Sequence, residues 1–347
     1  MSTLPVDAYR SQWRPTDVYL NTASYGLPPE SSWDELQHAL AGWRAGDTSW
    51  EPWGSATERA RSEFAALVGV GPEEVATGST VSGLLGPVAA SLPEGSRVLV
   101  PDEEFTSNLW PYLVQEDRGV LVRTVPAARL ADSIDGACDV VAFSAVQSAT
   151  GEVADLDAIE ASARRRGAIT IVDATQACGW LPLDAARFDF VVCAAYKWLM
   201  SPRGSAFLTV RPERLDSVRP IAAGWYAGED VHSSYYGMPL RLAKSTRRLD
   251  TSPAWFSWVG TQPAIELVNR IGVPAIQRHN VELANAFRSG LGLEPANSAI
   301  VSAEVSGAEA KLEGTGIQAS TRAGKLRTAW HVYNTKDDVA AILQALL

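Results

Sequence analysis

The chain has 347 residues, of which 46% are hydrophobic and 20% are charged. This composition is typical of a globular protein with a substantial core, and it excludes an intrinsically disordered chain. The 40 acidic residues outnumber the 30 Lys and Arg, giving a net charge of −10, and no concentrated basic face is visible. A nucleic-acid partner is therefore not expected. No apolar run approaches the roughly 18 residues of a membrane span, and residues 1–10 lack the pattern of a secretion signal, so no membrane association is expected either.

The cysteines and histidines predict a protein without a metal site in a reducing compartment. Cys138, Cys178 and Cys193 form no Cys-x-x-Cys pair and lie in apolar surroundings, which is typical of buried thiols in the cytoplasm. The four histidines are scattered along the chain, so no metal-binding cluster is expected.

Four of the 12 tryptophans lie close together near the N-terminus. Aromatic packing around a helix and the loop after it would account for them. The alternative interpretation is that this segment walls a substrate pocket. The four residues are Trp33, Trp43, Trp50 and Trp53.

Taken in chain order, the hydrophobic pattern alternates short β-branched runs with amphipathic stretches. Runs that are apolar on both faces and separated by helices predict a largely parallel sheet covered on two sides, an α/β fold. Strands are predicted at 97–101, 120–125, 139–144, 168–173, 189–195 and 205–210, and helices at 81–91, 107–118 and 155–166.

The last third of the chain has a different pattern. A long helical stretch at 262–289 is followed by strand-like runs at 298–305 and 326–333. A final helix is expected to begin after Thr335, a plausible N-cap with Asp338 three residues later. These elements predict a small α+β domain packed on the larger one.

Lys197 and Asp173 are the first candidates for chemistry. Lys197 follows the apolar run that ends at Ala195, where partial burial would lower its pKa and make it a better amine nucleophile able to form a Schiff base. Asp173 ends another predicted strand, where its carboxylate could pair with a protonated ring nitrogen. Because ligands of parallel sheets bind at the carboxyl ends of the strands, the two side chains are expected in one site.

Two further segments extend this candidate site. Thr77–Thr80 supplies a glycine and hydroxyl groups at the start of a predicted helix, where backbone N–H groups and the helix dipole favour a phosphate. Phe105 follows another strand and could stack on a planar ring.

Together these elements resemble the class V aminotransferase group of fold-type-I pyridoxal-phosphate enzymes, which includes cysteine desulfurases, kynureninases and isopenicillin-N epimerases. The resemblance covers roughly residues 19–346. It implies pyridoxal 5′-phosphate as cofactor and three parts of the chain: an N-terminal substrate-wall segment at 1–25, a large cofactor-binding domain at 26–260 and a small C-terminal α+β domain at 261–347.

The resemblance also implies a role for each matching residue around the cofactor. Lys197 resembles the Schiff-base lysine, and Asp173 resembles the partner of the pyridine nitrogen. Gln176 matches the residue that hydrogen-bonds the ring oxygen, and Ser148 lies in the matching loop beside the cofactor. The remaining matches are Ser79 and Thr80 for the phosphate, Tyr196 in the place of a phosphate-binding tyrosine, and Phe105 for ring stacking.

Substrate and subunit contacts are implied in the same way. Arg327 matches the residue that holds the substrate's α-carboxylate, for which a planar guanidinium is well suited. Asn21 and Ser24 lie in the N-terminal segment expected to line the substrate. Trp225 and Ser252 lie in segments that reach the neighbouring subunit's phosphate in this group, which implies a homodimer with shared active sites.

Two departures from the group narrow the range of reactions that we expect. No cysteine follows Cys193, so the nucleophilic cysteine that desulfurases carry before the carboxylate-binding arginine is missing. Ser252 also stands where kynureninases are expected to have an asparagine. We therefore expect an enzyme that acts on an L-amino acid through Lys197 and cleaves a C–S or C–C bond at the β-carbon without a persulfide. The alternatives are transamination, epimerisation and a binding protein without turnover.

Overall fold

The computed structural model describes residues 5–347. The strands in this range are β1 (Val18–Tyr19), β2 (Val75–Gly78), β3 (Arg97–Pro101), β4 (Leu121–Val125), β5 (Val140–Ser144), β6 (Ile169–Asp173), β7 (Phe190–Ala194), β8 (Ala206–Val210), β9 (Ile300–Ala303), β10 (Ile317–Gln318), β11 (Ser320–Arg322) and β12 (Lys325–Ala329). The α-helices are α1 (Glu30–Ala45), α2 (Glu51–Val68), α3 (Val81–Ala90), α4 (Thr106–Leu113), α5 (Leu156–Arg166), α6 (Trp255–Ile271), α7 (Val273–Gly290), α8 (Ala308–Leu312) and α9 (Lys336–Leu346).

Seven strands form one large sheet in the order β2-β8-β7-β6-β5-β3-β4. The neighbours from β4 to β7 are parallel, whereas β8 runs antiparallel to both β7 and β2. Alternate residues of the central strands enter two different cores: Val140 belongs to the core that includes Leu85 of α3, and Val141 to the core that includes Phe64 of α2 and Ile159 of α5. The predicted α/β fold with a mostly parallel sheet is confirmed. Its five parallel strands bring their carboxyl ends to one edge.

The C-terminal elements form a second, smaller sheet. Strands β11, β12 and β9 are antiparallel, and β1 from near the N-terminus pairs with β10. Helices α7 and α9 cover this sheet with a core that includes Phe287 and Ile342. The predicted cap of the last helix is confirmed: Thr335 Oγ1 accepts from the Asp338 backbone N–H at 3.3 Å, and the Asp338 carboxylate accepts from the Thr335 N–H at 3.0 Å.

Three predicted elements have different bounds in the structure. The helical stretch at 262–289 is two helices, because Gly272 adopts φ +89° and Pro274, in the first turn of the next helix, has no N–H to continue the hydrogen bonding of α6. The strand predicted at 326–333 ends at Ala329, and the apolar residues after it form a buried loop rather than a strand. The helix predicted at 107–118 ends at Leu113.

Helix α6 connects the two parts of the molecule. It packs against α1 and α2 and continues through Gly272 into α7, so the division proposed after residue 260 falls inside it. The N-terminal segment also bridges both parts, since Asn21 pairs with Ala329 while Gly26 donates its N–H to Tyr196 O at 2.9 Å. None of the helices within residues 5–347 is long and apolar enough to span a bilayer.

Candidate active site

A cavity of about 160 Å³ lies at the carboxyl edge of the large sheet. The loops after β2, β3, β5, β6 and β7 all contribute to its wall, as expected for an open α/β sheet. Eight residues predicted from the sequence are brought together here. They are Ser79, Thr80, Phe105, Ser148, Asp173, Gln176, Tyr196 and Lys197.

Lys197 is a buried amine in this cavity. Its Nζ lies 5.5 Å from the centre of the Phe105 ring and 5.7 Å from that of Tyr196. Burial lowers the pKa of Lys197 to about 8, although the nearby Asp173 carboxylate favours the charged form. A larger share of neutral amine than an exposed lysine has is therefore present near neutral pH, which suits a nucleophile or a base.

Asp173 ends β6 and is 5% exposed. Burial raises the pKa of its carboxyl group, while the N–H of Thr175, 2.8 Å from Oδ1, and the charge of Lys197 act in the opposite direction. A carboxyl group in such a place is stabilised as an anion by a cationic partner. Asp173 can thus supply the negative charge for a protonated ring nitrogen.

The orientation of the Gln176 amide follows from its neighbours. The indole Nε1 of Trp198 donates to Gln176 Oε1 at 2.7 Å, and because indole can only donate, the amide oxygen must face it. Gln176 Nε2 consequently donates to Ala23 O at 2.9 Å and to Ser148 Oγ at 3.1 Å. Gln176 therefore presents a donor, not an acceptor, on the side of the cavity wall formed by Ser148.

The Thr77–Thr80 loop closes another side of the cavity. Thr80 caps α3, since its Oγ1 accepts from Gly83 N at 3.1 Å. The loop is anchored by Asp250, whose Oδ1 accepts from Thr77 N at 2.8 Å and whose Oδ2 pairs with Arg61 at 2.6 Å. Both members of this ion pair are buried, so the pair holds the Thr77–Thr80 loop in place.

Arg327 lies beside the cavity, behind Ser148. It is 1% exposed and donates to neutral oxygens: Nη1 to Ser148 O at 2.6 Å, Nη2 to Ser24 Oγ at 2.7 Å and Nε to Ser320 Oγ at 3.2 Å. No carboxylate in the described range 5–347 forms an ion pair with it. Burial and the charge of Arg322 lower its pKa to about 10. A buried guanidinium without an anionic partner is a suitable receptor for a carboxylate.

Five predicted residues do not line the cavity: Arg327 and Ser24, described above, and Asn21, Trp225 and Ser252. Asn21 Oδ1 is buried and has no hydrogen-bond partner within the described residues. Trp225 packs edge-on against Trp50 with ring centres 5.3 Å apart, and Ser252 is exposed.

The four N-terminal tryptophans also stay outside the wall of this cavity. Trp43 and Trp53 contact Phe256 of α6, and Trp50 stacks on Trp255. This geometry agrees with the packing interpretation for Trp43, Trp50 and Trp53, whereas Trp33 is 52% exposed.

Sequence reasoning gave no role to two charged residues at the site. Glu104 is buried directly before Phe105, and its carboxylate accepts from Ser144 N at 2.7 Å and from Phe105 N at 3.0 Å. Burial raises the pKa of Glu104 to about 7. Arg203 lines the cavity with its guanidinium carbon 5.0 Å from the centre of the Tyr196 ring. The sequence offered only their positions as signals: Glu104 follows β3, and Arg203 comes shortly after Lys197.

Comparison with known proteins places the chain in a family. The family model described as "Aminotransferase class-V" matches residues 41–305. An uncharacterized aminotransferase of Bacillus subtilis is 30% identical over 322 residues, covering 84% of this chain and 83% of that protein. The isopenicillin N epimerase of Streptomyces clavuligerus is 29% identical over 328 residues, covering 84% and 80%.

Solved structures share the fold. A cystine C-S lyase in complex with cysteine persulfide superposes with a TM-score of 0.86 at 21% identity, covering 95% of this chain and 97% of that one. A mutant of that lyase, with glycine covalently linked to its pyridoxal-phosphate cofactor, has a TM-score of 0.84, also at 21% identity, covering 95% and 96%. The extent of the family match, with an aminotransferase relative at 30% identity, identifies this chain as a member of the class V aminotransferase family and hence as a pyridoxal-phosphate-dependent enzyme of fold type I.

Proposed function

We propose that this enzyme cleaves a bond at the β-carbon of an L-amino acid, with Lys197 as the reacting amine. The observation that carries the amino-acid chemistry is that Lys197 and Asp173 lie in one buried cavity, and the kynureninase-like Phe105 and Tyr196 in the same wall favour cleavage at the β-carbon. Lys197 provides the amine that a carbonyl cofactor requires, and Asp173 provides the matching negative charge.

The groups lining the cavity fit pyridoxal phosphate. The hydroxyl groups of Ser79 and Thr80, beside the start of α3, suit the phosphate. Asp173 suits the ring nitrogen, and the Gln176 amide suits the ring oxygen. Phe105 offers an aromatic face, and Lys197 would hold the cofactor covalently. When bound, the cofactor supplies an electron sink for charge that develops at the substrate's α-carbon.

Arg327 is proposed to bind the substrate's α-carboxylate. Its guanidinium is held in place by Ser24, Ser148 and Ser320, so its direction is set before substrate arrives. A carboxylate would take the place of the Ser24 hydroxyl and satisfy the charge that the described residues leave unpaired. Asn21, with its unpartnered buried oxygen, is proposed to contribute to the same wall.

Lys197 is also proposed to move the protons of the reaction. Once the substrate's amine has displaced it, the free Lys197 amine accepts the α-proton as general base. Its pKa of about 8 is close to neutral pH, so it can then donate that proton to the departing group at the β-carbon. The leaving group departs with the electrons of its bond to the β-carbon.

The positions of the cysteines argue against sulfur transfer to the enzyme. Cys138, Cys178 and Cys193 are buried, and none lines the cavity. Burial raises the pKa of Cys138 to about 11, which keeps its thiol protonated. The turn between β11 and β12 comprises only Ala323 and Gly324, leaving no loop there to carry a nucleophile. We therefore propose that the leaving group is released from the site directly.

Transamination and epimerisation are the second candidates. They are supported by relatives whose names are aminotransferase and isopenicillin N epimerase. Both would use the same Lys197, Asp173 and Arg327 and differ only in where the proton returns: beside the cofactor ring for transamination, and to the α-carbon for epimerisation.

Product analysis separates these reactions. The holoenzyme is incubated with single L-amino acids that carry a β-leaving group, without an amino-group acceptor. For a C–S bond we expect catalytic release of keto acid, ammonia and the leaving group, and for a C–C bond cleaved by water we expect a carboxylic acid and the shortened amino acid. One keto acid per subunit without ammonia would establish transamination, and accumulation of the D-enantiomer would establish epimerisation. Either result overturns the β-cleavage proposal. Borohydride should fix the cofactor on Lys197 in all three cases.

We further propose a homodimer in which Trp225 and Ser252 complete the partner's site. The segment 228–242 is closed at its base by a bridge between Gly228 and Leu242, and it exposes Tyr236, Met238 and Leu240 by 89%, 93% and 80%. Such a group of exposed apolar side chains favours a protein contact. Trp225 lies directly before this segment, so a subunit that covers the segment would also approach Trp225.

A further inference from the structure

The phosphate side of the cavity contains neutral donors and no fixed cation among the residues predicted from the sequence. Ser79, Thr80, Ser82 and Ser107 line it with hydroxyl groups. A phosphate monoester carries up to about two negative charges at neutral pH, and neutral donors alone leave most of that charge without compensation.

The cations already assigned have other roles. Lys197 would be consumed by the covalent link to the cofactor, which places its nitrogen at the aldehyde end. Arg327 lies behind Ser148, where it is bonded to Ser24 and Ser320, and Arg322 donates to the same Ser24 hydroxyl at 3.3 Å. These two guanidinium groups therefore serve the substrate side.

Arg203 is the remaining cation in the cavity wall. Its guanidinium lies over the Tyr196 ring at 5.0 Å, and no carboxylate among residues 5–347 forms an ion pair with it. The main chain at this point is fixed on both sides, because Arg203 N donates to Tyr25 Oη at 3.3 Å and Arg203 O accepts from Ser257 Oγ at 2.8 Å.

The turn that carries Arg203 depends on the next residue, Gly204. Gly204 adopts φ +113°, and a Cβ at this position would lie 2.6 Å from Ser257 Oγ. The backbone thus directs an exposed arginine toward the cavity, where the aromatic face of Tyr196 supports its planar cation.

From these contacts we infer that Arg203 is a phosphate-binding residue of this enzyme, stacked on Tyr196 and supplying the positive charge for the cofactor's phosphate group. The inference rests on the cofactor placement proposed above. It assigns Tyr196 a second purpose, since the ring would hold the guanidinium in addition to offering its own hydroxyl.

The test compares pyridoxal phosphate with pyridoxal, which lacks the phosphate. Full-length apoprotein is titrated with each compound, and tryptophan fluorescence and cofactor absorbance are followed. Arg203→Gln should weaken pyridoxal phosphate binding by about ten- to a hundredfold, as expected for losing a charged hydrogen bond, and leave pyridoxal binding within twofold of wild type. Arg278→Gln, an exposed arginine on α7 away from the cavity, is the matched control and should change neither.

Salt and a conservative variant give independent readouts. The affinity of the wild type for pyridoxal phosphate should fall with ionic strength more steeply than that of Arg203→Gln. Arg203→Lys keeps the charge but lacks the planar guanidinium group, so its affinity for pyridoxal phosphate should lie between those of the wild type and Arg203→Gln. If Arg203→Gln does not fold, the selective loss in Arg203→Lys decides the question.

Two results would overturn the inference: unchanged pyridoxal phosphate affinity in a folded Arg203→Gln, or equal losses for both compounds. A wild-type protein that binds neither compound would instead contradict the proposed cofactor placement itself.

Discussion

Gly26 lies directly against the main chain of Lys197. A Cβ built on Gly26 would be 1.9 Å from the Lys197 carbonyl oxygen and 3.0 Å from the Cα of Met200. The Gly26 N–H also donates to Tyr196 O at 2.9 Å. The N-terminal segment that carries Asn21 and Ser24 is therefore held against the backbone of Lys197.

Gly26→Ala should damage both the fold and the site, because the added methyl group would clash with backbone atoms, which cannot move away by a side-chain rotation. We expect a loss of about 2–4 kcal/mol in unfolding free energy and weaker cofactor binding. Chemical denaturation and cofactor titration measure the two effects. Gly86→Ala is the control, since a Cβ there meets open space within α3, and it should stabilise the protein by up to about 1 kcal/mol. Equal stability of the two variants would contradict the close approach.

The lowered pKa of Lys197 predicts a pH-dependent stability of the apoprotein. The folded-state pKa is about 8, against an ordinary value of 10.5. Between these values the unfolded chain binds more protons, so stability should rise with pH across this window. Below pH 8 Lys197 is protonated in both states, so the full free-energy cost of burying its charge remains.

Lys197→Met removes that penalty, so it should be more stable than wild type at pH 7 by about 3 kcal/mol. The difference should shrink as pH approaches 10.5. Urea unfolding of both apoproteins at pH 7 and pH 10 provides the measurement. A difference that is the same at both pH values would show that desolvation of Lys197 is not its cause.

Arg327→Gln should impair substrate binding without removing the cofactor. Losing a charged, bidentate hydrogen bond to the carboxylate should reduce kcat/KM by about a hundredfold or more, mainly by raising KM. Arg322→Gln offers a matched control, since Arg322 is exposed and reaches the same Ser24 hydroxyl at a longer distance. Its effect should be less than tenfold. An Arg327→Gln enzyme with normal KM would place the carboxylate elsewhere.

Mixing two inactive variants tests whether subunits share their sites. Lys197→Ala removes the reacting amine, and a double substitution of Trp225 and Ser252 removes the side chains proposed to act in the partner's site. Hybrid dimers would contain one site built entirely from intact parts. Random re-association should then recover about a quarter of wild-type activity. A fully active monomer on size-exclusion chromatography, or no recovery after demonstrated subunit exchange, would refute shared sites.

Much of the architecture follows from local sequence patterns. The strands β3 and β5 to β8 appear as short apolar runs because both of their faces are buried, whereas the edge strand β4 is largely exposed. The cap at Thr335 appears because its hydroxyl and the Asp338 carboxylate satisfy backbone groups within one turn. The apolar loop after Ala329 shows where this reasoning fails. Burial there comes from tertiary packing, so a continuous apolar run does not specify a strand.

By itself the sequence determined the α/β class, the family and the side chains that follow each strand, since the order of Thr80, Phe105, Asp173 and Lys197 along parallel strands already implies one shared edge. Only the tertiary structure decided how those groups are oriented and charged. The Gln176 amide is turned by Trp198, the Lys197 amine is made less basic by burial, and Arg327 is held by Ser24 and Ser148 without an anion. These partners lie far apart in the chain, and orientation and desolvation depend on every neighbour in space, so no local pattern encodes them.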